Sequence, residues 1–176
     1  VFTVGELGFG SGLNFLAALD LWRSSGAGLD CAKRLHFVSV EAMPWSAQDL
    51  QRGLSYFPQL AEYADSLTAQ WPGRVKGLHR LHFGNAALTL FHMDALSALN
   101  VMDANVDAWF LDGFSPSKNP DMWSETVMQN MRRLSHNGSS LATFTAAGKV
   151  RRDLISAGFT IEKVPGFGRK RERYCR

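Results

Sequence analysis

ELGFGSG, residues 6–12, decides how this chain is read. Residues 1–6 are short, β-branched and apolar, the pattern of a buried strand. Residues 13–22 are apolar except for Asn14 and Asp20, the pattern of a buried helix. A glycine-rich turn between a first strand and a first helix lets a ligand approach the main chain closely. It also aims the helix N-terminus at that ligand. The dinucleotide fingerprint runs G-x-G-x-x-G. Here the order is E-x-G-x-G-x-G, with the acid first. A carboxylate at that place repels a pyrophosphate and suits a ligand with a cationic amino-acid end, of which S-adenosylmethionine is one. Taken alone, the turn also fits a purely structural role.

Outward from the turn, strands and helices alternate. Leu35–Val40 (LHFVSV) reads as a second strand, closed by Glu41. Residues 46–70 have helical spacing broken at Pro58. Residues 78–83 and 88–93 read as two strands about the turn Gly84-Asn85, followed by a short helix over 95–99. Val106–Leu111 (VDAWFL) is a further strand ending at Asp112, and residues 124–134 form an amphipathic helix. Strand 140–145, helix 149–157, strand 159–164, the turn Pro165-Gly166-Phe167-Gly168 and a last strand over 169–175 complete the chain. The alternation implies crossover units and a mostly parallel α/β sheet. The two closing strands have no helix between them, so they are expected to form an antiparallel hairpin.

Three acids are expected at strand ends, where open α/β sheets bind ligands. Glu6 precedes the glycines. Glu41 could accept both hydroxyl protons of a ribose, and Asp94 could accept a hydrogen bond from an adenine amino group. Singly, Glu41 and Asp94 also read as solvated strand ends, and Asp94 as a helix cap. The loop after the strand 106–111 runs DGFSPSKNPDMW, residues 112–123. Asp112 could hold and orient an amine acceptor, and Phe114 could stack on a base. The competing reading makes Asp112 a cap and Phe114 core packing. Trp109 reads as core.

The 176 residues suit one domain, and 45% hydrophobic with 20% charged is ordinary for a globular protein. No apolar run approaches the roughly 20 residues that span a bilayer. Cys31 and Cys175 form no disulfide scaffold, and no Cys/His spacing suits a metal. Neither cysteine lies in a strand-end loop, which argues against a cysteine adduct. His36, His82 and His92 fall within strands and read as structural, and no nucleophile elbow is present. The net charge of +3 is unevenly placed: residues 1–148 carry 10 basic and 13 acidic side chains, and residues 149–176 carry 9 and 3. A basic end of this kind points to a polyanionic partner. Its alternative is a charged edge strand protected from aggregation. The chain begins with Val, in what reads as a strand, so it is expected to be a piece cut at a domain edge.

GELGFGSGLNFL (5–16), DAWFLDGFSPSKNPDMW (107–123), ATFTAAGKVRRDLISAGF (142–159) and GFGRKRERYC (166–175) resemble the methyltransferase part of the tRNA 5-methylaminomethyl-2-thiouridine biosynthesis family. The resemblance implies a Rossmann-like class I methyltransferase fold with a seven-stranded sheet, and S-adenosylmethionine as methyl donor. It implies methylation of the amine of 5-aminomethyl-2-thiouridine at the tRNA wobble position by a cytoplasmic enzyme. In many members a flavin (FAD) oxidase domain follows. The family's donor-side positions carry over to Glu6, Gly8, Gly10, Gly12, Glu41 and Asp94, with Phe9, Asn14 and Asp112 beside them; its acceptor-side positions carry over to Asp112 and Phe114. Lys149, Arg151, Arg152, Arg169, Lys170, Arg171 and Arg173 are the candidate tRNA contacts. His136-Asn137-Gly138-Ser139 and Lys149 depart from the family pattern. The resemblance also implies a segment ahead of the first strand that helps shape the acceptor pocket, and the chain is expected to lack it. The other readings are a nicotinamide-dependent oxidoreductase and a non-catalytic tRNA-binding domain.

Overall fold

The computed structural model describes residues 1–143, 145, 147–163 and 173–175; of residues 163 and 173–175 it describes the main chain alone. The strands are β1 (Phe2–Leu7), β2 (Leu35–Val40), β3 (Gly77–Phe83), β4 (Ala86–His92), β5 (Val106–Leu111), β6 (Ser135–Thr143), β7 (Ile161–Lys163) and β8 (Arg173–Cys175). The helices are α1 (Leu13–Ser24), α2 (Gly26–Leu29), α3 (Ala47–Leu54), α4 (Ala61–Gln70), α5 (Ala95–Val101), α6 (Glu125–Arg133) and α7 (Gly148–Ser156). One sheet runs in the order β3-β4-β2-β1-β5-β6-β8-β7. β1, β2, β4, β5 and β6 are mutually parallel. β3 is antiparallel to β4, and β8 lies antiparallel between β6 and β7.

The family resemblance implies seven strands, whereas the described residues form eight, the number that the sequence pattern itself implies. β3, expected at 78–83, folds back on β4 through Gly84 at the sheet edge. The turn Pro165–Gly168 lies outside the described residues.

Apolar residues alternate along the strands and build one core on each face of the sheet. Leu35 and Phe37 of β2 join Phe15, Leu16 and Leu19 of α1 and Leu67 of α4 in one core. Val38 and Val40 of the same strand join Leu99 of α5, Met128 and Met131 of α6, and Leu154 of α7 in the other. The chain builds outward from β1 through β2 and β4, then returns to lay β5 against the other side of β1. That reversal opens a crevice at the carboxyl ends of β1 and β5.

The start of β6 and the presence of α2 differ from the sequence pattern for identifiable reasons. β6 begins at Ser135, where residues 136–139 read as a turn before a strand at 140. The register steps from Val106↔Ser135 to Ala108↔Ser140, so the extra residues are taken up as a bulge with Gly138 at φ 102°. Side chains stitch it down: Ser139 Oγ donates to the Val106 carbonyl at 2.6 Å, and His136 Nε2 lies 3.0 Å from Asp107 Oδ1. The short helix α2 has no apolar periodicity and was not legible.

Trp109 lies in the core, 1% exposed, and donates to Ser135 Oγ at 2.9 Å. Its ring presses on β1 at Gly5, where an added Cβ would sit 2.5 Å from Trp109 Cζ3. Gly5→Ala should therefore overpack the sheet and cost about 1–3 kcal/mol, measured by urea unfolding. An unchanged midpoint would contradict this packing.

Candidate functional site

The turn after β1 works because glycine fills it. At Gly8 (φ 94°) an added Cβ would lie 2.7 Å from the Gly113 Cα, so the β1 turn and the loop after β5 meet main chain to main chain. Gly12 (φ 74°) is the N-cap of α1, and a Cβ there would meet the Phe9 ring at 2.6 Å. Both positive φ values are natural only to glycine. At Gly10 a Cβ would meet nothing within 4 Å, because the residue faces open space.

That open space is a cleft of about 980 Å³ lined by the carboxyl ends of β2, β4 and β5 and their loops. Gly8, Gly10, Glu41, Asp94, Asp112 and Phe114 line it, so six positions expected from the sequence come together. Glu41 Oε2 accepts from the Gly10 amide and Oε1 from the Met43 amide, each at 2.9 Å. Each oxygen keeps a second lone pair. Asp94 caps α5 through Oδ1, which accepts from the Ser97 amide at 2.9 Å. Hydrogen bonds from the Ser97 amide and then its side chain hold the Asp94 carboxyl below the usual carboxylate range. Asp94 is thus both the cap and a cleft residue. Phe114 is 60% exposed, which removes the core-packing reading. Its carbonyl accepts from Trp123 Nε1 at 2.8 Å, which anchors the loop on a buried ring.

Other expected positions lie elsewhere. Glu6 was expected to face a cationic ligand, but it sits beneath the turn, 1% exposed. Its Oε1 accepts from Asn14 Nδ2 at 2.9 Å and its Oε2 from Ser39 Oγ at 2.6 Å. Burial pushes its carboxyl up to about 8, with the negative charges of Asp112 and Glu41 adding to the rise and the Ser39 and Asn14 hydrogen bonds opposing it. Phe9 turns into the core and stacks on Trp71 at 5.5 Å, so a ligand could meet only its main chain. Gly12 and Asn14 lie behind the lining. Asn14 Nδ2 also donates to Asp112 Oδ2 at 2.8 Å. On the basic side, Lys149 Nζ pairs with Asp153 Oδ2 at 2.5 Å, while Arg151 and Arg152 are exposed on α7. Arg169, Lys170 and Arg171 lie outside the described residues, and Arg173 is placed only as part of β8.

The sequence reading missed Met43, Trp45, Met93, Leu96 and Asp121 as cleft residues. Part of the signal was available: Met43 and Trp45 are large apolar residues that follow a strand-end acid with no strand or helix spacing, and they are 68% and 38% exposed. Glu41, Asp94, Asp112 and Asp121 make the lining acidic, and none of them belongs to an ion pair among the described residues. Such a lining attracts cationic ligands. No group of three or more His, Cys, Asp or Glu that could hold a metal is found among the described residues, and no helix there is long and apolar enough to cross a membrane.

A family of S-adenosyl-L-methionine-dependent methyltransferases matches residues 58–175. Two relatives described as the tRNA 5-methylaminomethyl-2-thiouridine biosynthesis bifunctional protein MnmC come from Ectopseudomonas mendocina and Caulobacter vibrioides. They are 50% and 51% identical over 171 and 174 residues. Those alignments cover 96% and 98% of this chain but 26% and 29% of the relatives, so the chain spans less than a third of their length. The crystal structure of MnmC2 from Aquifex aeolicus superposes with a TM-score of 0.77 at 20% identity, covering 99% of this chain and 52% of that one.

The buried Glu6 carboxyl makes a pH prediction. Its value is about 8 in the folded chain against 4.5 ordinarily, so between those limits the folded state holds a proton that the unfolded state has released. Stability attributable to Glu6 therefore falls as pH rises through that window. Glu6→Gln removes the titration. Thermal melts from pH 5 to 8 should show the wild type losing ground to the variant, whereas parallel curves would contradict the buried proton.

Proposed function

The chain belongs to the S-adenosyl-L-methionine-dependent methyltransferase family, and we propose on that premise that it methylates the amine of 5-aminomethyl-2-thiouridine at the wobble position of tRNA. The product is 5-methylaminomethyl-2-thiouridine, the base named in the description of its MnmC relatives. The observation that carries the reading is the shared cleft: the donor-side acids Glu41 and Asp94 and the acceptor-side pair Asp112 and Phe114 face one space above the glycine turn. Residues 1–176 form the methyltransferase unit. In the longer protein a flavin-dependent oxidase unit would remove carboxymethyl from the precursor, and both would act in the cytoplasm.

The residues present fit the donor. Gly10 opens its main chain to the cleft, the Glu41 lone pairs suit ribose hydroxyls, and Asp94 suits an amino group. When bound, S-adenosylmethionine supplies an electrophilic methyl group on a sulfonium. Everything else falls to the chain. Asp112 accepts an N–H of the incoming amine and orients its lone pair along the line of displacement, where positioning supplies most of the acceleration. The attacking amine must be unprotonated, and the Asp112 carboxylate is placed to hold the proton it gives up. Phe114, exposed at the cleft, offers a face on which the uracil ring stacks. Arg151 and Arg152 extend a basic surface along α7 for tRNA phosphates.

The decisive experiment follows labelled methyl from S-adenosylmethionine into tRNA carrying the aminomethyl precursor. Transfer by the full-length protein supports the reading, and binding of the donor without transfer sinks it. In that assay Asp112→Ala should lose most of its rate while donor affinity is largely kept; an equal loss of both would move Asp112 to the donor side. S-adenosylmethionine at 100 times its dissociation constant should add about 2.7 kcal/mol of stability, and a nicotinamide dinucleotide should add none. The reverse result would favour the oxidoreductase. Arg151→Ala and Arg152→Ala should each weaken tRNA binding and lower the salt dependence of log K by about 1. Salt-independent binding would remove the phosphate role.

A further inference from the structure

Asn14 is the second residue of α1, and its side-chain amide is shared between two carboxyl groups. Nδ2 donates to Glu6 Oε1 at 2.9 Å and to Asp112 Oδ2 at 2.8 Å. A primary amide nitrogen carries two hydrogens, so both are committed. The Glu6 end is fixed: the side chain is 1% exposed, and Ser39 Oγ donates to its other oxygen at 2.6 Å. The Asp112 end is exposed, on the loop after β5, and lines the cleft. Neither Asn14 nor Glu6 lines the cleft itself.

We infer that Asn14 is a positioning residue: it ties the Asp112 carboxylate to the buried Glu6–Ser39 pair and leaves Asp112 Oδ1 to receive the acceptor amine. This assigns Asn14 to the acceptor side, where the family resemblance groups it with the donor. The inference rests on the proposed methyl transfer. An untethered carboxylate at the end of an exposed loop samples several rotamers, and each departure misaligns the amine that it holds. The tether also links four elements, because Ser39 is on β2, Glu6 on β1, Asn14 on α1 and Asp112 directly after β5. Only a donor–donor group serves at this position. Asn14→Asp keeps the shape but places a third carboxyl between the other two.

The test is a double-mutant cycle in the full-length protein, with kcat, KM for the aminomethyl tRNA and the calorimetric Kd for S-adenosylmethionine measured for each form. Asn14→Ala should lower kcat by up to about 100-fold. Its donor Kd should stay within about twofold of wild type, since it acts through another residue. In an Asp112→Ala background Asn14→Ala should add no further loss. If Asn14→Ala weakens donor binding as much as it lowers kcat, or if the two losses multiply, the inference is overturned. Should Asn14→Ala fail to fold, Asn14→Asp, which keeps the volume, carries the same expectations. A wild type that binds donor and transfers no methyl overturns the functional reading and this inference together, and it does so without any variant.

Discussion

The site depends on one close approach, the main chain of Gly8 against the main chain of Gly113. A single Cβ at Gly8 would fall 2.7 Å from the Gly113 Cα and 2.8 Å from the Asp112 carbonyl. The Asp112 amide donates to the Leu7 carbonyl at 3.1 Å, and the Gly8 amide donates to the Val40 carbonyl at 2.9 Å. The turn after β1 is thereby held between the ends of β2 and β5, at the point where the strand order reverses. Glu41 and Asp112, 71 positions apart in the chain by their numbering, reach one cleft for this reason. Any side chain larger than hydrogen at Gly8 would push the loop after β5 away from the turn after β1.

Electrostatics divides the work between the two parts of the molecule. The cleft gathers carboxyl groups, and burial deals with the one nearest its floor by keeping a proton on Glu6. With the Glu6 carboxyl pushed toward its neutral form, the negative potential is left to the acids that line the cleft. Glu41 and Asp94 gain hydrogen bonds from main-chain amides, which hold them in place with oxygens facing the space. The basic side chains concentrate after residue 148. An acidic cleft and a basic flank can coexist because the charges sit on separate elements. The Lys149–Asp153 pair on α7 mutes one of the flanking cations, while Arg151 and Arg152 remain exposed.

Much of this arrangement was legible in the residues. β2 and β5 are mostly apolar and each is closed by an acid, Glu41 and Asp112, and their limits match the sequence pattern residue for residue. The glycine spacing located the turn, and acids at strand ends located three sides of the cleft. What periodicity cannot report is depth. Nothing in E-x-G-x-G-x-G says that Glu6 lies under the turn and not in front of it, because that follows from its contacts with Ser39 and Asn14. Phe9 reads as part of the glycine motif, yet its ring is taken by Trp71, 62 positions away by number. The β6 bulge was illegible for a similar reason: His136 and Ser139 look like turn residues until Asp107 and the Val106 carbonyl are brought beside them. Long-range partners decided each of these cases, and local pattern could not.

The direct measurement is a crystal structure of the chain with S-adenosylmethionine. The ligand should occupy the cleft between Gly10 and Asp112, with its ribose hydroxyls on Glu41 and its adenine beside Asp94. Asn14 should still bridge Glu6 and Asp112. Ligand density elsewhere on the molecule, or in the cleft with Glu41 and Asp94 out of contact, would contradict this placement.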